Sequence, residues 1–235
     1  AFLPMYQLSY FPNNQNVNGV QAYDKEVDAL NQHTKADKVY IVCSKEQLDE
    51  NGSMKIFSMI DKLSAELSVA SDNETRKRLL MRRAIAHSVL RDFEAAISDF
   101  TYYISLDDKN SLAYWQRAVC QAEMDEFNKA EGKGVLNIHS AEADFSDAIR
   151  QNSNNAYIYY NRGNLHAGRN ELSKAIDDYT IALRIDNRLA EAYYNRGIAR
   201  AKSGNKQTAI QDLSKAGELG LYDAYSVIKR LNKSK

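Results

Sequence analysis

The chain has 235 residues, of which 44% are hydrophobic and 26% are charged, so it can form an elongated repeat domain together with a smaller segment. Lysine plus arginine and aspartate plus glutamate number 31 each. This balance, without a long basic run, lacks the electrostatic feature typical of nucleic-acid binding or of adsorption to anionic membranes. We therefore expect no nucleic-acid partner.

No stretch of about 18 apolar residues occurs, which predicts no membrane insertion of this chain. The sequence begins at Ala1, without an initiator methionine or a charged-then-apolar leader, so we expect it to be a piece of a longer protein. Cys43 and Cys120 are too few for a disulfide framework, and we expect two free thiols. The cysteines say little about the cellular compartment.

Residues 1–52 are predicted to form a small N-terminal α+β segment packed on the first repeat. Residues 5–11 partly alternate between apolar and polar and lie between two prolines, which favours an edge strand. The apolar residues of 20–36 fall at helical spacing, and the β-branched run 39–43 is typical of a buried strand.

Residues 53–76 are predicted as a leading helical segment. Ile56, Ile60 and Leu63 begin an apolar stripe at helical spacing, and Ser53 is the expected N-cap. This helix is expected to end near Ala70. Residues 71–74 have the form of a capping box, so the next helix is expected to open there.

A 34-residue pattern is written twice in succession, over 156–189 and 190–223. Each copy has two aromatics and then Asn-Arg-Gly in its first half, followed by an alanine and a large residue at helical spacing in its second half. The pattern predicts two helices per copy, with small residues where the helices approach closely. More degenerate copies are predicted at 77–110 and 111–155.

The copy at 111–155 is eleven residues longer than the others, and we place the insertion at 126–140. Two glycines there predict that part of it is a loop. A capping helix is predicted at 221–232, where the polar face would close the end of the stack. The whole repeat domain is expected to cover 53–235.

A helix–turn–helix period of this length, with aromatic, small and alanine residues at these offsets, resembles the tetratricopeptide repeat family, in its bacterial type. The proline that usually ends the repeat is replaced by Asn187 and Leu221. The resemblance implies a mainly α fold, a right-handed α–α superhelix (a solenoid of such repeats), here with the small N-terminal α+β segment. It also implies that the protein holds other proteins or peptides.

In this family the first helix of every repeat lines the concave face, so we predict a peptide ledge there. The expected partner-binding residues follow the leading aromatic position of each repeat or share its face: Met81, Leu112, Trp115, Tyr157, Tyr160, Asn164 and Tyr194. An alternative is that these side chains pack against neighbouring helices or are covered by residues 1–52. Chaperone-binding members clasp a carboxylate with lysines that this chain lacks, so we do not expect that activity.

Each repeat also carries an arginine before its small residue and an aspartate three positions after its second-helix alanine. The predicted structural ion pairs are Arg83 with Asp99, Arg117 with Asp144, Arg162 with Asp178, and Arg196 with Asp212. The insertion separates the second pair further in sequence without moving either residue within its own helix. Recurrence in every copy favours a structural role over a functional one.

Catalytic and cofactor motifs are missing from the sequence, and the four histidines are dispersed, so we expect no enzyme activity, no cofactor and no metal site. The predicted function is a scaffold that binds a protein or peptide partner on the concave face. The alternative is a structural or self-assembling module of a larger complex, including a homo-oligomer. The sequence names neither the partner nor the compartment.

Overall fold

The computed structural model describes residues 1–11, 25–32, 37–43, 45, 47–133 and 140–233. Within this part of the chain, eleven helices and a two-stranded sheet follow one another. The strands are β1 (Gln7–Ser9) and β2 (Tyr40–Val42). The helices are α1 (Lys25–Asn31), α2 (Glu50–Val69), α3 (Asn73–Val89), α4 (Phe93–Leu106), α5 (Ser111–Ala130), α6 (Ala141–Gln151), α7 (Ala156–Gly168), α8 (Leu172–Ile185), α9 (Ala190–Lys202), α10 (Lys206–Glu218) and α11 (Asp223–Lys233).

The described residues form two compact units. The N-terminal unit comprises residues 7–11 and the described residues between 25 and 153, and the C-terminal unit comprises residues 1–6 and 154–233. The first six residues therefore pack with the last repeats. This corrects the expectation that all of residues 1–52 pack on the first repeat.

In the N-terminal unit, β1 and β2 pair antiparallel, with Leu8 opposite Ile41. A sheet of this size is marginal in isolation. The Leu8 side chain is fully buried, and β1 contacts α3 and α5, so the sheet is supported by the helices. These elements confirm a small N-terminal α+β segment. Of the predicted helix 20–36, residues 20–24 and 33–36 lie outside the described residues.

The start of α2 differs from the sequence prediction, whereas α3 begins within residues 71–74, where it was expected. The N-cap of α2 is Asp49, whose carboxylate accepts a hydrogen bond from the Gly52 amide at 2.7 Å, so the helix begins before Ser53. The N-cap of α3 is Asp72, which accepts from the Thr75 amide at 2.8 Å. The apolar stripe begins one turn inside α2, and therefore its periodicity does not show the first turn.

The insertion begins as helix rather than loop. Helix α5 continues to Ala130, so residues 126–130 extend it. Gly132 follows with a φ of 70°, a left-handed conformation that glycine adopts without strain. Residues 134–139 of the predicted insertion lie outside the described residues.

In the C-terminal unit, α7 packs with α8, α9 packs with α10, and α11 packs on α10. Gly163 lies where α7 and α8 approach most closely. A methyl group at that position would lie 2.7 Å from Cε1 of Tyr179, and one at Gly197 would lie 2.9 Å from Cγ of Leu213. The recurrent glycine therefore allows a large second-helix residue to fill the space between the helices.

Candidate functional site

The predicted ledge residues lie on the first helices of the repeats, but they are not an open surface. All but one are buried, with exposed fractions between 0% for Trp115 and Tyr160 and 8% for Tyr157, and Asn164 is half-buried. In the C-terminal unit they are covered by residues 1–6, which is one of the two alternatives the sequence left open. The contacts of this segment with α7 and α9 show how the first helices of these repeats hold residues 1–6.

Asn161, in the middle of α7, binds both backbone polar groups of Tyr6. Its Oδ1 accepts a hydrogen bond from the Tyr6 amide at 2.8 Å, and its Nδ2 donates to the Tyr6 carbonyl at 2.7 Å. The Asn161 side chain is fully buried. A buried carboxamide is costly unless its donors and acceptor are matched, and the segment backbone supplies that match.

Asn195 repeats this arrangement one repeat later, on α9. Its Oδ1 accepts from the Leu3 amide at 2.7 Å, and its Nδ2 donates to the Leu3 carbonyl at 3.1 Å. Three residues of extended chain span about 10 Å, which is close to the separation of packed helices. Consecutive repeats can therefore hold every third residue of one extended segment.

Two further side chains bind the same backbone. Asn164 donates from Nδ2 to the Leu3 carbonyl at 2.9 Å, and the Tyr160 hydroxyl donates to the Pro4 carbonyl at 2.9 Å. The Asn164 amide is held in place because its Oδ1 accepts from the Tyr179 hydroxyl at 2.7 Å and from Asn195 at 2.8 Å. The site is thus a connected network of neutral amides and hydroxyls.

Apolar contacts fix the side chains of the segment. The Tyr6 ring lies 4.7 Å from the Tyr157 ring and 5.1 Å from the Tyr160 ring, measured between centroids. Phe2 and Leu3 pack against a buried cluster that includes Tyr194, one of the predicted ledge residues. The Lys202 ammonium lies 4.8 Å from the centre of the Phe2 ring, a cation–π distance.

The N-terminal unit uses the same helical position in its own repeats. Gln116 stands where the later repeats have asparagine, and its Oε1 accepts from the Leu8 amide at 2.9 Å. Arg82 stands there in the first repeat, and its backbone carbonyl accepts from the Tyr10 hydroxyl at 2.9 Å. All four residues at this position, the other two being Asn161 and Asn195, are buried.

Sequence reasoning did not single out this helical position as the one that binds residues 1–11. The only sequence signal for this position is a polar residue in every repeat, between a large side chain and the recurring arginine. The structure shows that this position is buried.

Burial also changes the ionisation of two tyrosines, Tyr10 and Tyr179. Burial raises the pKa of Tyr10 and of Tyr179 well above the usual range, so both hydroxyls remain donors at neutral pH.

The structure brings the arginine and aspartate of every repeat together. Each arginine donates through Nε and Nη2 to both carboxylate oxygens, a bidentate geometry, as in Arg117 with Asp144 at 2.7 and 2.8 Å. The same two bonds join the other three pairs: Arg83 with Asp99, Arg162 with Asp178, and Arg196 with Asp212. The remaining guanidinium nitrogen can reach the preceding helix, as in Arg196 with the Thr180 hydroxyl at 3.1 Å.

Two of the histidines make equivalent loop contacts. The Nδ1 atoms of His87 and His166 lie 3.0 and 2.8 Å from carboxylates five residues later, on Asp92 and Glu171. Over the described ranges, no group of three or more His, Cys, Asp or Glu side chains is placed to hold a metal ion. Among the helices described, none combines the length and apolarity needed to cross a membrane.

A family model described as TPR repeat matches residues 167–204. No curated protein matches the chain. A crystal structure of MamA is 21% identical with a TM-score of 0.60, covering 77% of this chain and 99% of that one. MamA 41-end from Desulfovibrio magneticus RS-1 is 17% identical with a TM-score of 0.52, covering 70% and 94%.

A third similar structure is YrrB, whose title describes a TPR protein with an unusual peptide-binding site. It is 16% identical with a TM-score of 0.58, and the match covers 76% of this chain and 86% of YrrB. At these identities the structural likenesses show the fold alone. That fold is the right-handed α–α superhelix predicted from the sequence.

Proposed function

We propose that this chain, a tetratricopeptide repeat protein, is a non-enzymatic scaffold that holds an extended peptide segment of a partner protein on the first helices of its repeats. One observation carries the proposal: Asn161 and Asn195 each bind both backbone polar groups of one residue in an extended segment. Side chains that satisfy a peptide backbone in this way replace the hydrogen bonds that a neighbouring strand would supply. Three of the predicted ledge residues, Tyr157, Tyr160 and Tyr194, supply apolar contacts around them.

These hydrogen bonds do not select for particular side chains in the bound segment, because those of Asn161 and Asn195 run to the backbone of Tyr6 and Leu3. The aromatic surface of Tyr157 and Tyr160 adds large contact area at small entropic cost. Backbone recognition combined with apolar pockets is a recurring way to bind extended peptides. The same division of labour supports a peptide-binding role here.

The test is selection of peptides from a random nine-residue library on the immobilised full chain, followed by fluorescence anisotropy. Affinities are compared in chains that also carry Tyr6→Ala, which weakens the competing contact of residues 1–6. Two lost hydrogen bonds per asparagine are worth about 1 kcal/mol each, so adding the Asn161→Ala, Asn195→Ala double substitution should weaken selected peptides at least about tenfold. Asn187→Ala is the matched control, because Asn187 is exposed and belongs to an inter-repeat turn. Selected peptides that bind the Tyr6→Ala chain equally tightly with and without the two asparagine substitutions would contradict the proposal.

Self-assembly is the second candidate, and the exposed apolar side chains of α2 favour it. Met54 and Phe57 lie one turn apart, with exposed fractions of 64% and 57%. A leading helix such as α2, with this exposed apolar face, can contact another copy of the chain or another subunit. Sedimentation at increasing protein concentration separates the two candidates. A mass that stays monomeric contradicts self-assembly, and a rise that Met54→Ser, Phe57→Ser abolishes supports it.

A further inference from the structure

Side chains of the repeats hold the backbone of residues 1–6, as they would hold the backbone of a bound peptide. The backbones of Leu3, Pro4 and Tyr6 form hydrogen bonds with side chains of α7 and α9. Residues 2–5 remain half-buried, and only Tyr6 is fully enclosed. A segment held by side-chain amides at this level of burial can leave the repeats without breaking a helix or the β1–β2 pair.

The side chains of residues 2–6 form a pattern that the site can recognise. The Tyr6 ring contacts two tyrosine rings, which favours an aromatic side chain at that place. Pro4 has no amide hydrogen, so the extended chain carries no unmatched donor there, and it restricts Leu3 to extended conformations. The Lys202 ammonium over the Phe2 ring favours a second aromatic four residues earlier.

The charges of the segment and of the site indicate which class of peptide can bind. Residues 1–11 contain no charged side chain. The Lys202 ammonium beside the Phe2 ring is charged. The groups that bind the backbone are neutral: Asn161, Asn164 and Asn195 bind through amides, and Tyr160 binds through a hydroxyl. Acidic peptides would gain little affinity from these neutral groups, whereas burial against Tyr157 and Tyr160 favours the binding of uncharged peptides.

Resting on the function proposed above, we infer that the external partner is an uncharged extended segment with the pattern aromatic, apolar, proline, any residue, aromatic. We further infer that residues 2–6 occupy its place in cis and compete with it. A ligand attached to its own site acts at an effective concentration on the order of millimolar. The cis segment therefore excludes external peptides whose affinity for the site is too low to displace it.

The experiment uses the full chain and a labelled peptide, AFLPMYGGK with fluorescein on its lysine, which carries residues 1–6. Anisotropy is measured on the parent, on Tyr6→Ala, and on Met5→Ala as a control in the same segment. Removing the Tyr6 ring weakens the cis ligand, so the peptide should bind Tyr6→Ala at least about tenfold more tightly than the parent. Met5→Ala should change the affinity by no more than about twofold.

Two further measurements use the Tyr6→Ala chain. A peptide whose tyrosine is replaced by alanine should bind it at least about tenfold more weakly, and adding Asn161→Ala to the chain should weaken the parent peptide at least about tenfold. Circular dichroism checks folding, and Leu3→Ala replaces Tyr6→Ala if helicity is lost. Equal affinity for the parent chain and Tyr6→Ala would overturn the inference, as would indifference to the peptide's tyrosine.

The outcomes also separate this inference from the function on which it rests. If library peptides require Asn161 and Asn195 while AFLPMYGGK does not bind, the scaffold function stands and the partner pattern is wrong. If binding of neither the library peptides nor AFLPMYGGK depends on Asn161 and Asn195, both the proposed function and this inference are wrong. A dimer in sedimentation that the peptide dissociates would assign the site to residues 1–6 of a second copy, which also overturns the inference.

Discussion

Asn195 binds both the amide and the carbonyl of Leu3, although the two residues lie 192 positions apart in the sequence. Asn161 binds Tyr6 in the same way. The two asparagines occupy the same place in consecutive repeats, and the residues they bind lie three apart in an extended segment. Buried side chains on the first helices of consecutive repeats thus bind the backbone of a chain that crosses these helices.

The recurrent ion pair predicts a large stability effect with no effect on peptide binding. Arg162→Leu leaves the buried Asp178 carboxylate without its bidentate partner. Breaking a buried pair by removing one member costs about 3–5 kcal/mol. We therefore expect urea denaturation to show a loss of this order in the free energy of unfolding.

The control for Arg162→Leu is Lys174→Leu, which removes the exposed pair with Glu171 and should cost at most about 1 kcal/mol. In conditions where both variants are folded, peptides selected on the parent should keep their affinity for both. A folded Arg162→Leu chain that has lost peptide affinity would mean that this arginine belongs to the binding site.

Two glycines of α7 offer a matched comparison. Gly163→Ala places a methyl group 2.7 Å from the Tyr179 ring, whereas a methyl group at Gly168 meets nothing within 4 Å. Overpacking costs about 1–3 kcal/mol, so Gly163→Ala should lower the free energy of unfolding by that amount. Gly168→Ala should leave it unchanged or raise it by about 0.5 kcal/mol, because alanine restricts the unfolded chain. Equal effects of the two substitutions would contradict the close packing of α7 on α8.

The helix pairs and their packing follow from the sequence, because local periodicity specifies them. Alanine and glycine at fixed offsets, with aromatics between them, leave few other ways to bury these side chains. The aromatic face was predicted for the same reason. Cover by residues 1–52 was one of two open alternatives, and the sequence did not identify Leu3 and Tyr6 as the bound residues. They lie far from α7 and α9 in sequence, and a mid-helix asparagine is usually read as exposed.

Alkaline pH provides a separate test of the burial of two tyrosines in the N-terminal unit. Burial raises the pKa of Tyr103 to about 12 and that of Tyr10 well above the usual range. A raised pKa means that the folded state holds the phenolic proton more tightly than the unfolded state, whose tyrosines titrate near about 10. Stability from these groups is complete below that pH and is lost as the pH rises toward about 12.

We expect helicity and the free energy of unfolding to fall together above pH of about 10, with phenolate absorbance appearing late. Tyr10→Phe removes the titrating hydroxyl and its bond to the Arg82 carbonyl, so this variant should start less stable and fall less steeply. Tyr222→Phe, at an exposed position, is the control. Phenolate formation at the pH of free tyrosine in the folded chain would contradict the burial of these rings.

The most direct test of the central claim is residue-resolved amide hydrogen exchange of the full chain by NMR. The Leu3 and Tyr6 amides are each bound by one asparagine, so Asn195→Ala should raise exchange first at Leu3, and Asn161→Ala should raise it first at Tyr6. Asn187→Ala should change neither. Leu3 and Tyr6 amides that exchange at the rate of an unstructured chain in the parent, or that stay protected in both variants, would contradict an extended segment held by these side chains.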